Sequence, residues 1–214
     1  MCIAEKIAYY RNELPSNVKL VAVSKFKPAS DILEAYGAGQ RCFAESRPLE
    51  FAEKAESLPK DIEWHFIGHL QTNKIKYVLP YVSLIQSVDS LHLLKAIEDA
   101  CAVRGCKVAV LLELHVASEA TKQGFSGKEA LEVLQHAAEY PHVEIRGFMA
   151  MATFTSDEAQ VRGEFETARS IQQEAGLPEL SMGMSDDWHI ALCCGTTMVR
   201  IGSAIFGARN YNQA

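Results

Sequence analysis

The chain has 214 residues, 48% of them hydrophobic, and a net charge of −6 at pH 7. This length and composition suit one sizeable hydrophobic core, so we expect a single domain over residues 1–214. The acidic balance, without a lysine and arginine cluster, argues against nucleic acid as a partner. No stretch approaches the roughly 18 apolar residues of a membrane span, and none resembles a signal peptide, so we expect a cytoplasmic protein with no membrane partner.

Short apolar or β-branched runs follow an amphipathic N-terminal helix and alternate with charged segments of helical periodicity. Eight of these runs are predicted strands, at residues 18–24, 42–45, 63–68, 83–89, 107–115, 143–150, 179–183 and 197–202. Runs such as VAVLLEL are apolar on both faces, which is typical of parallel strands covered by helices. The pattern predicts an α/β fold, a single closed (β/α)8 TIM barrel. An open doubly wound sheet is the alternative, but SKFKP stands where its G-x-G-x-x-G turn is expected.

The cysteines and histidines predict neither a disulfide framework nor a metal site. The six cysteines form no C-x-x-C motif, and the adjacent pair Cys193 and Cys194 cannot bridge easily without strain, so we expect reduced thiols packed as small apolar side chains. His65 and His69 are four residues apart, but WHFIGH reads as a strand that breaks at Gly68. We therefore expect structural or hydrogen-bonding histidines and no metal.

The residues at the carboxyl ends of the strands are the first candidates for a site, because barrels of this kind carry their active sites there. The side chains and glycines at these ends are Lys25, Glu45, His65 or Gly68, Asp89, His115, Met149, Ser181 with Ser185, and Arg200 with Gly202.

The loops after the last two strands predict a phosphate site. Gly202 and Ser203 open a short apolar helix, which offers backbone N–H groups and a hydroxyl, and Ser181 and Ser185 add further hydroxyl donors. The alternative is that these serines are ordinary helix caps. Barrels of this class commonly bind phosphate at this position.

Lys25 ends the first buried strand, so its amine is expected at the mouth of the barrel. Desolvation there favours the neutral amine, which is the form that condenses with an aldehyde. Taken alone, a lysine that flanks a strand more commonly reaches water or pairs with an acidic residue, here Glu45 or Asp89. Combined with a phosphate site and Arg200, it completes the three groups that bind pyridoxal phosphate: an imine-forming amine, a phosphate site and a partner for the pyridine nitrogen.

Long segments of the chain resemble the YggS/PROSC family of pyridoxal-phosphate-binding homeostasis proteins. The family consists of single-domain barrels similar to the N-terminal domain of alanine racemase, so the resemblance implies a fold-type III barrel without a C-terminal β domain. The matching segments are LVAVSKFKP, EWHFIGHLQTNK, the K-x-G-F of Lys122 to Phe125, RGFMAM, LSMGMSDDW and GTTMVRIGSAIFGARNY, the last of which includes Tyr211.

The resemblance implies roles for individual residues. Lys25 would form the imine with pyridoxal 5′-phosphate, and Ser181 with the backbone around Gly202 and Ser203 would hold the phosphate. Arg200 would face the pyridine nitrogen, where a permanent donor disfavours a protonated ring and weakens the cofactor as an electron sink.

Three positions in the segment at the second strand depart from the family pattern, because the usual F-G-E-N-Y reads Phe-Ala-Glu-Ser-Arg here. Ala44 replaces the glycine and Ser46 replaces the asparagine beside the cofactor. The expected contacts on that side of the ring are therefore altered.

The resemblance implies a pyridoxal-phosphate binder in vitamin B6 homeostasis, with no catalytic residues and no substantial turnover. A racemase needs acid and base groups on both faces of its substrate, and we expect neither a second domain nor a second base here. The alternative is an amino-acid racemase or aldolase of low or unidentified activity. Candidate protein partners are apo-enzymes that use the cofactor, or a regulatory protein that senses it. We expect a monomer.

Overall fold

Eight parallel strands close into a barrel in the computed structural model, which describes residues 1–117 and 123–208. Each strand pairs with its neighbours in chain order, and the first strand pairs with the last through Lys19 and Met198, Leu20 and Val199, and Val21 and Arg200. The predicted (β/α)8 barrel is confirmed. The strands are β1 Lys19–Val23, β2 Cys42–Glu45, β3 Glu63–Phe66, β4 Leu84–Val88, β5 Val108–Leu114, β6 Val143–Ala150, β7 Glu179–Ser181 and β8 Met198–Ile201.

Helices cover the outside of the barrel. They are α1 Ile3–Glu13, α2 Ala29–Gly37, α3 Pro48–Ser57, α4 Ile75–Val78, α5 Leu91–Arg104, α6 Gly127–Gln135, α7 Glu158–Ala175, α8 Trp188–Cys193 and α9 Ser203–Phe206, with short 3-10 helices at Thr72–Lys74 and Ala137–Glu139. Local signals fix several ends: Ser90 caps α5 through Leu93 N–H, and Gly105 ends it in the left-handed region. Within the described ranges, no helix combines the length and apolar character needed to cross a membrane.

All eight predicted strands are present, and their bounds differ from the predicted ones by no more than two residues. The seventh strand ends at Ser181 instead of Gly183. Gly183 has φ +93°, and a Cβ there would lie 2.6 Å from the Cβ of Ala191, so the chain turns at a position that only glycine can occupy without strain.

Buried apolar side chains form two clusters, one on each face of the barrel wall. The larger lies between strands and helices and includes Phe43, Phe51, Phe66, Phe148 and Phe165. The smaller fills the barrel interior with Val21, Val23, Cys42, Ala44, Leu84, Ala109, Leu111, Met149 and Met198. This separation follows from the alternation of side chains along each strand, and it determines which residues reach the mouth of the barrel.

The six cysteines are free thiols, as predicted. Cys42, Cys101 and Cys194 are buried and pack as apolar side chains, whereas Cys2 and Cys193 are exposed. The packing prediction therefore holds for only part of the set.

Candidate functional site

A cavity of about 310 Å³ lies at the carboxyl ends of the strands and brings together five of the six predicted site residues. Its volume is at the lower end of the roughly 300–1,000 Å³ of small-molecule pockets. The five predicted residues that line it are Lys25, Ser185, Arg200, Gly202 and Ser203.

Lys25 enters the cavity because of the register of β1. Val21 and Val23 face the barrel interior, so the alternation directs Lys25, two residues further on, towards the mouth. The next residue, Phe26, has φ +64°, a left-handed conformation that is costly for an aromatic residue. Its N–H donates to Oε1 of Glu50 at 2.7 Å, and the Arg47 guanidinium lies 4.2 Å from its ring centroid. These contacts hold a strained turn at the candidate imine-forming lysine.

Two serine hydroxyls meet in the lining of the cavity. Oγ of Ser203 lies 3.2 Å from Oγ of Ser185, and both residues line the cavity together with Gly202. A Cβ on Gly202 would lie 3.3 Å from Cβ and O of Val23, so the glycine lets this backbone approach β1 closely. The arrangement offers converging hydroxyl and backbone donors, which suit an anion.

Lys27 also lines this cavity, and the sequence reasoning did not identify it. Its ammonium donates to the backbone oxygens of Phe206 and Ala208, each at 2.8 Å, so it supports the C-terminal end of α9. Lys6 donates to the oxygen of Ile205 at 3.0 Å in the same way. The only local signal was the second lysine of SKFKP.

Arg200 is buried and lines the cavity. Its guanidinium donates to Oγ and O of Ser181 at 2.7 and 2.8 Å and to O of Ala150 at 2.9 Å. Burial lowers the pKa of Arg200 to about 10, opposed by the charges of Asp187 and Glu113. The guanidinium remains charged at neutral pH and can act as a permanent hydrogen-bond donor.

Ser181 does not belong to the cavity lining. Its hydroxyl, which the sequence predicted as a phosphate donor, is fully buried, donates to Oε1 of Gln86 at 2.7 Å and accepts from Arg200. Because β7 directs this side chain into the barrel, the hydroxyl contacts the guanidinium instead of the phosphate side.

The acidic residues considered as partners of Lys25 have other partners. Glu45 accepts from Lys54 at 2.7 Å and from the Ser24 hydroxyl at 2.6 Å, on the outer face of the strand. Asp89 lies 3.0 Å from Nδ1 of His69. Nearby, burial and the charge of Asp89 raise the pKa of Glu113.

Two of the three positions that depart from the family pattern, Ala44 and Ser46, lie at the carboxyl end of β2. Ala44 is buried in the interior cluster, and Ser46 contacts the next strand end through its backbone, since a Cβ on Gly68 would lie 2.1 Å from Ser46 O. Two motif residues used above, Lys122 and Tyr211, lie outside the described residues.

The opposite end of the barrel holds a polar cluster that the histidine spacing did not predict. Strand register places Cys42 beside Glu63, and one possible ligand atom each from Cys42, Glu63 and His65 lie within 4.8 Å of one another. However, the ammonium of Lys19 lies 2.6 Å from Oε1 of Glu63, and burial raises the pKa of the Cys42 thiol well above its usual range. Hydrogen bonds between protein groups account for this arrangement, and His65 has the hydrogen-bonding role that the sequence predicted.

A larger cavity of about 650 Å³ lies beside α5 and α6. Its lining includes the carboxylates of Asp89, Glu129, Glu132 and Glu139. This charge opposes an anionic ligand, so the smaller cavity is the better candidate site for a phosphate compound.

Comparison with known proteins identifies the family of this chain. The family model described as "Alanine racemase, N-terminal domain" matches residues 2–210. The chain is 38% identical over 213 residues to the pyridoxal phosphate homeostasis protein of Haemophilus influenzae, covering 95% of this chain and 90% of that protein.

Solved structures agree with this match. The structure of PipY from Synechococcus elongatus with PLP bound has a TM-score of 0.89 and 36% identity, covering 96% of this chain and all of that one. An alanine racemase from Clostridium difficile, 16% identical, shares the fold with a TM-score of 0.78 over 99% of this chain and 58% of its own. The chain belongs to the alanine racemase N-terminal domain family, among the relatives called pyridoxal phosphate homeostasis proteins.

Proposed function

We propose that this protein binds pyridoxal 5′-phosphate as an imine on Lys25 and serves in intracellular vitamin B6 homeostasis, without substantial turnover. One observation supports this most strongly: Lys25, Arg200 and the Ser185, Gly202 and Ser203 group line the same cavity. The names of the Haemophilus influenzae relative and of the PLP-bound PipY structure agree with the proposal.

The donor set fits the chemical groups of the cofactor. The amine of Lys25 suits the aldehyde, the two hydroxyls 3.2 Å apart suit phosphate oxygens, and the Arg200 guanidinium suits the unprotonated ring nitrogen. The bound cofactor supplies an electrophilic carbon and an electron sink. Arg200 limits that sink, because a guanidinium does not give up its proton to the ring.

The surroundings of the cavity favour a binder over an enzyme. Lys27, the second lysine in the lining, has its ammonium engaged by two backbone oxygens at 2.8 Å. Asp186 in the lining is exposed, and Phe154 at the rim is 91% exposed, so the mouth is open to water. A solvated site is poorly suited to stabilise a carbanion.

Borohydride reduction tests the binding proposal directly. The purified protein, supplied with pyridoxal 5′-phosphate, should show visible absorption that reduction abolishes, and peptide mass mapping should locate the adduct on Lys25. Lys27 is an internal control, because it lines the same cavity. An adduct on Lys27, or a colourless protein, would contradict the proposal.

An amino-acid panel separates the binder from a racemase or aldolase. The loaded protein should neither change the chirality of any member nor consume it. Steady turnover that is lost in Lys25→Ala would show that the protein is an enzyme.

The remaining expectations concern partners. We propose that the protein is a monomer and that its macromolecular partners are cofactor-dependent apo-enzymes or a regulatory protein. Sedimentation equilibrium would test the first statement, and capture of purified apo-enzymes with and without cofactor would test the second.

A further inference from the structure

A chain of hydrogen bonds, here called the interior relay, runs through the barrel from Arg200 to Glu63. Nη1 of Arg200 donates to Oγ of Ser181 at 2.7 Å, and Ser181 lies 2.7 Å from Oε1 of Gln86. Nε2 of Gln86 lies 2.7 Å from Nδ1 of His65, and Nε2 of His65 lies 3.0 Å from Oε1 of Glu63. Ser181, Gln86 and His65 are completely buried.

The interior relay can run in only one direction. A guanidinium only donates and an amide oxygen only accepts, so Ser181 accepts from Arg200 and gives its single hydroxyl hydrogen to Oε1 of Gln86. The amide nitrogen of Gln86 must then donate to an unprotonated Nδ1 of His65, and the ring hydrogen lies on Nε2, facing Glu63. Burial lowers the pKa of His65, which agrees with a neutral ring.

The direction of the relay bears on the buried charge of Arg200. The acceptors of its three hydrogen bonds are neutral: two backbone oxygens and the Ser181 hydroxyl. The oxygen end of the Gln86 amide faces this group, so its dipole favours the cation. A guanidinium has more N–H groups than these three bonds use, and Arg200 also lines the cavity, so it can donate to a ligand there.

We propose that Gln86 is a positioning residue for the cofactor ring: it fixes the Ser181 hydroxyl and, through it, the orientation of the Arg200 guanidinium. The carboxylate of Glu63 accepts from Nε2 of His65 and leaves Nδ1 of the neutral ring as an acceptor for the Gln86 amide nitrogen, which sets the end of the amide that faces Ser181. This inference rests on the proposed function, in which Arg200 faces the ring nitrogen. Gln86 does not itself contact the ligand.

The test compares Gln86→Leu with Gln40→Leu. Gln40 is also a buried glutamine, and it donates to O of Leu20 and O of Cys42 at 2.8 and 2.6 Å, outside the relay. The measured quantity is the ratio of dissociation constants for pyridoxal 5′-phosphate and its 1-deaza analogue, in which CH replaces the ring nitrogen. A merely structural role would weaken both ligands equally and leave this ratio unchanged.

In the wild-type protein, the cofactor should bind about tenfold more tightly than the analogue, as expected for one charge-assisted hydrogen bond. Gln86→Leu should reduce this preference at least about threefold, and Gln40→Leu should preserve it. Should Gln86→Leu not fold, as judged by thermal unfolding, Gln86→Met replaces it. An unchanged preference in a folded Gln86 variant would overturn the proposal.

Two further measurements separate this inference from the proposed function. If borohydride attaches the cofactor to Lys25 in the wild-type protein and in the Gln86 variant, and the preference for the cofactor over its 1-deaza analogue is unchanged, only the role of Gln86 fails. If neither protein forms the Lys25 adduct, the proposed function fails. Nitrogen-15 NMR of the cofactor-free protein should show His65 protonated at Nε2 alone, and the reverse tautomer would overturn the relay.

Discussion

The ammonium of Lys54 lies 2.7 Å from Oε1 of Glu45, and both side chains are buried between β2 and α3. The same ammonium bonds to O of Ser24 at 2.9 Å and to Glu50 at 2.7 Å. Glu50 also accepts the N–H of Phe26. The backbone on both sides of Lys25 is therefore fixed from behind by one buried charge cluster.

Replacing Lys54 by methionine should lower the free energy of unfolding by about 3 kcal/mol, because it leaves the buried Glu45 and the partly buried Glu50 without their cation. Urea denaturation measures this loss. Lys95→Met is the matched control, since Lys95 pairs with Asp99 on the exposed surface of α5 and should change stability by no more than about 0.5 kcal/mol. Equal losses in the two variants would contradict a supporting role for Lys54.

Glu45 should make stability depend on pH. Burial raises the pKa of Glu45 to about 7, although Lys54 and Ser24 oppose the shift. The folded protein thus holds this proton more tightly than the unfolded chain, where a glutamate titrates near about 4.3. The contribution to stability is therefore full at low pH and is lost as pH rises from about 4.5 to 7.

Glu45→Gln should remove this contribution while Lys54 keeps Glu50 as its counter-ion. The free energy of unfolding of the variant minus that of the wild type should be about 2 kcal/mol larger at pH 8 than at pH 5. Urea unfolding of both proteins at the two pH values measures the difference. A constant difference between them would show that Glu45 does not titrate in this range.

Gly183→Ala should destabilise the protein by about 2 kcal/mol or more, because of its positive φ and the 2.6 Å approach to Ala191 Cβ. Gly183 O also accepts the N–H of Arg200 at 2.9 Å, so the shift should weaken cofactor binding. Gly163→Ala is the control: it lies within α7 with nothing within 4 Å of an added Cβ. That change should stabilise the helix by about 0.5–1 kcal/mol.

Lys27→Met should weaken binding of pyridoxal 5′-phosphate about tenfold and binding of pyridoxal, which lacks the phosphate, less than about twofold. The reason is that Lys27 supports α9 and adds positive charge near the serine pair. Equilibrium titration followed by absorption measures both constants. Lys128→Met, on the exposed surface of α6, controls for the loss of net charge. Equal losses of affinity for the two ligands would show that Lys27 does not act on the phosphate group.

The barrel and most of the cavity were predictable because parallel strands buried on both faces have a distinctive pattern and their carboxyl ends meet at one edge. That rule predicted the proximity of Lys25, Ser185, Arg200, Gly202 and Ser203, although their roles towards a cofactor stay predictions. It could not predict that the Ser181 hydroxyl bonds to Gln86 and Arg200 instead of lining the cavity. Its partner Gln86 is 95 residues away in the chain and is an unremarkable polar residue within a strand.

The supporting lysines were missed for a related reason. Lys27 and Lys54 bond to backbone oxygens and a carboxylate contributed by other elements, and the one local partner, Glu50 four residues before Lys54, has the spacing of an ordinary ion pair on an exposed helix face. Lysine within a helix or after a strand is usually solvated, so propensity and periodicity assign both residues to the surface. Only the assembled barrel shows that they are anchors.

The bond from Lys27 to Phe206 joins groups 179 residues apart, and β1 meets β8 only when the barrel closes. The candidate site therefore cannot exist before the serine pair and α9, which follow Lys25 in the chain by some 160 residues or more, have joined the barrel. Contacts of such long range form late in folding. A ligand that bridges Lys25 and Ser203 would favour the closed barrel by mass action. The folded fraction of the protein would therefore rise with the concentration of that ligand.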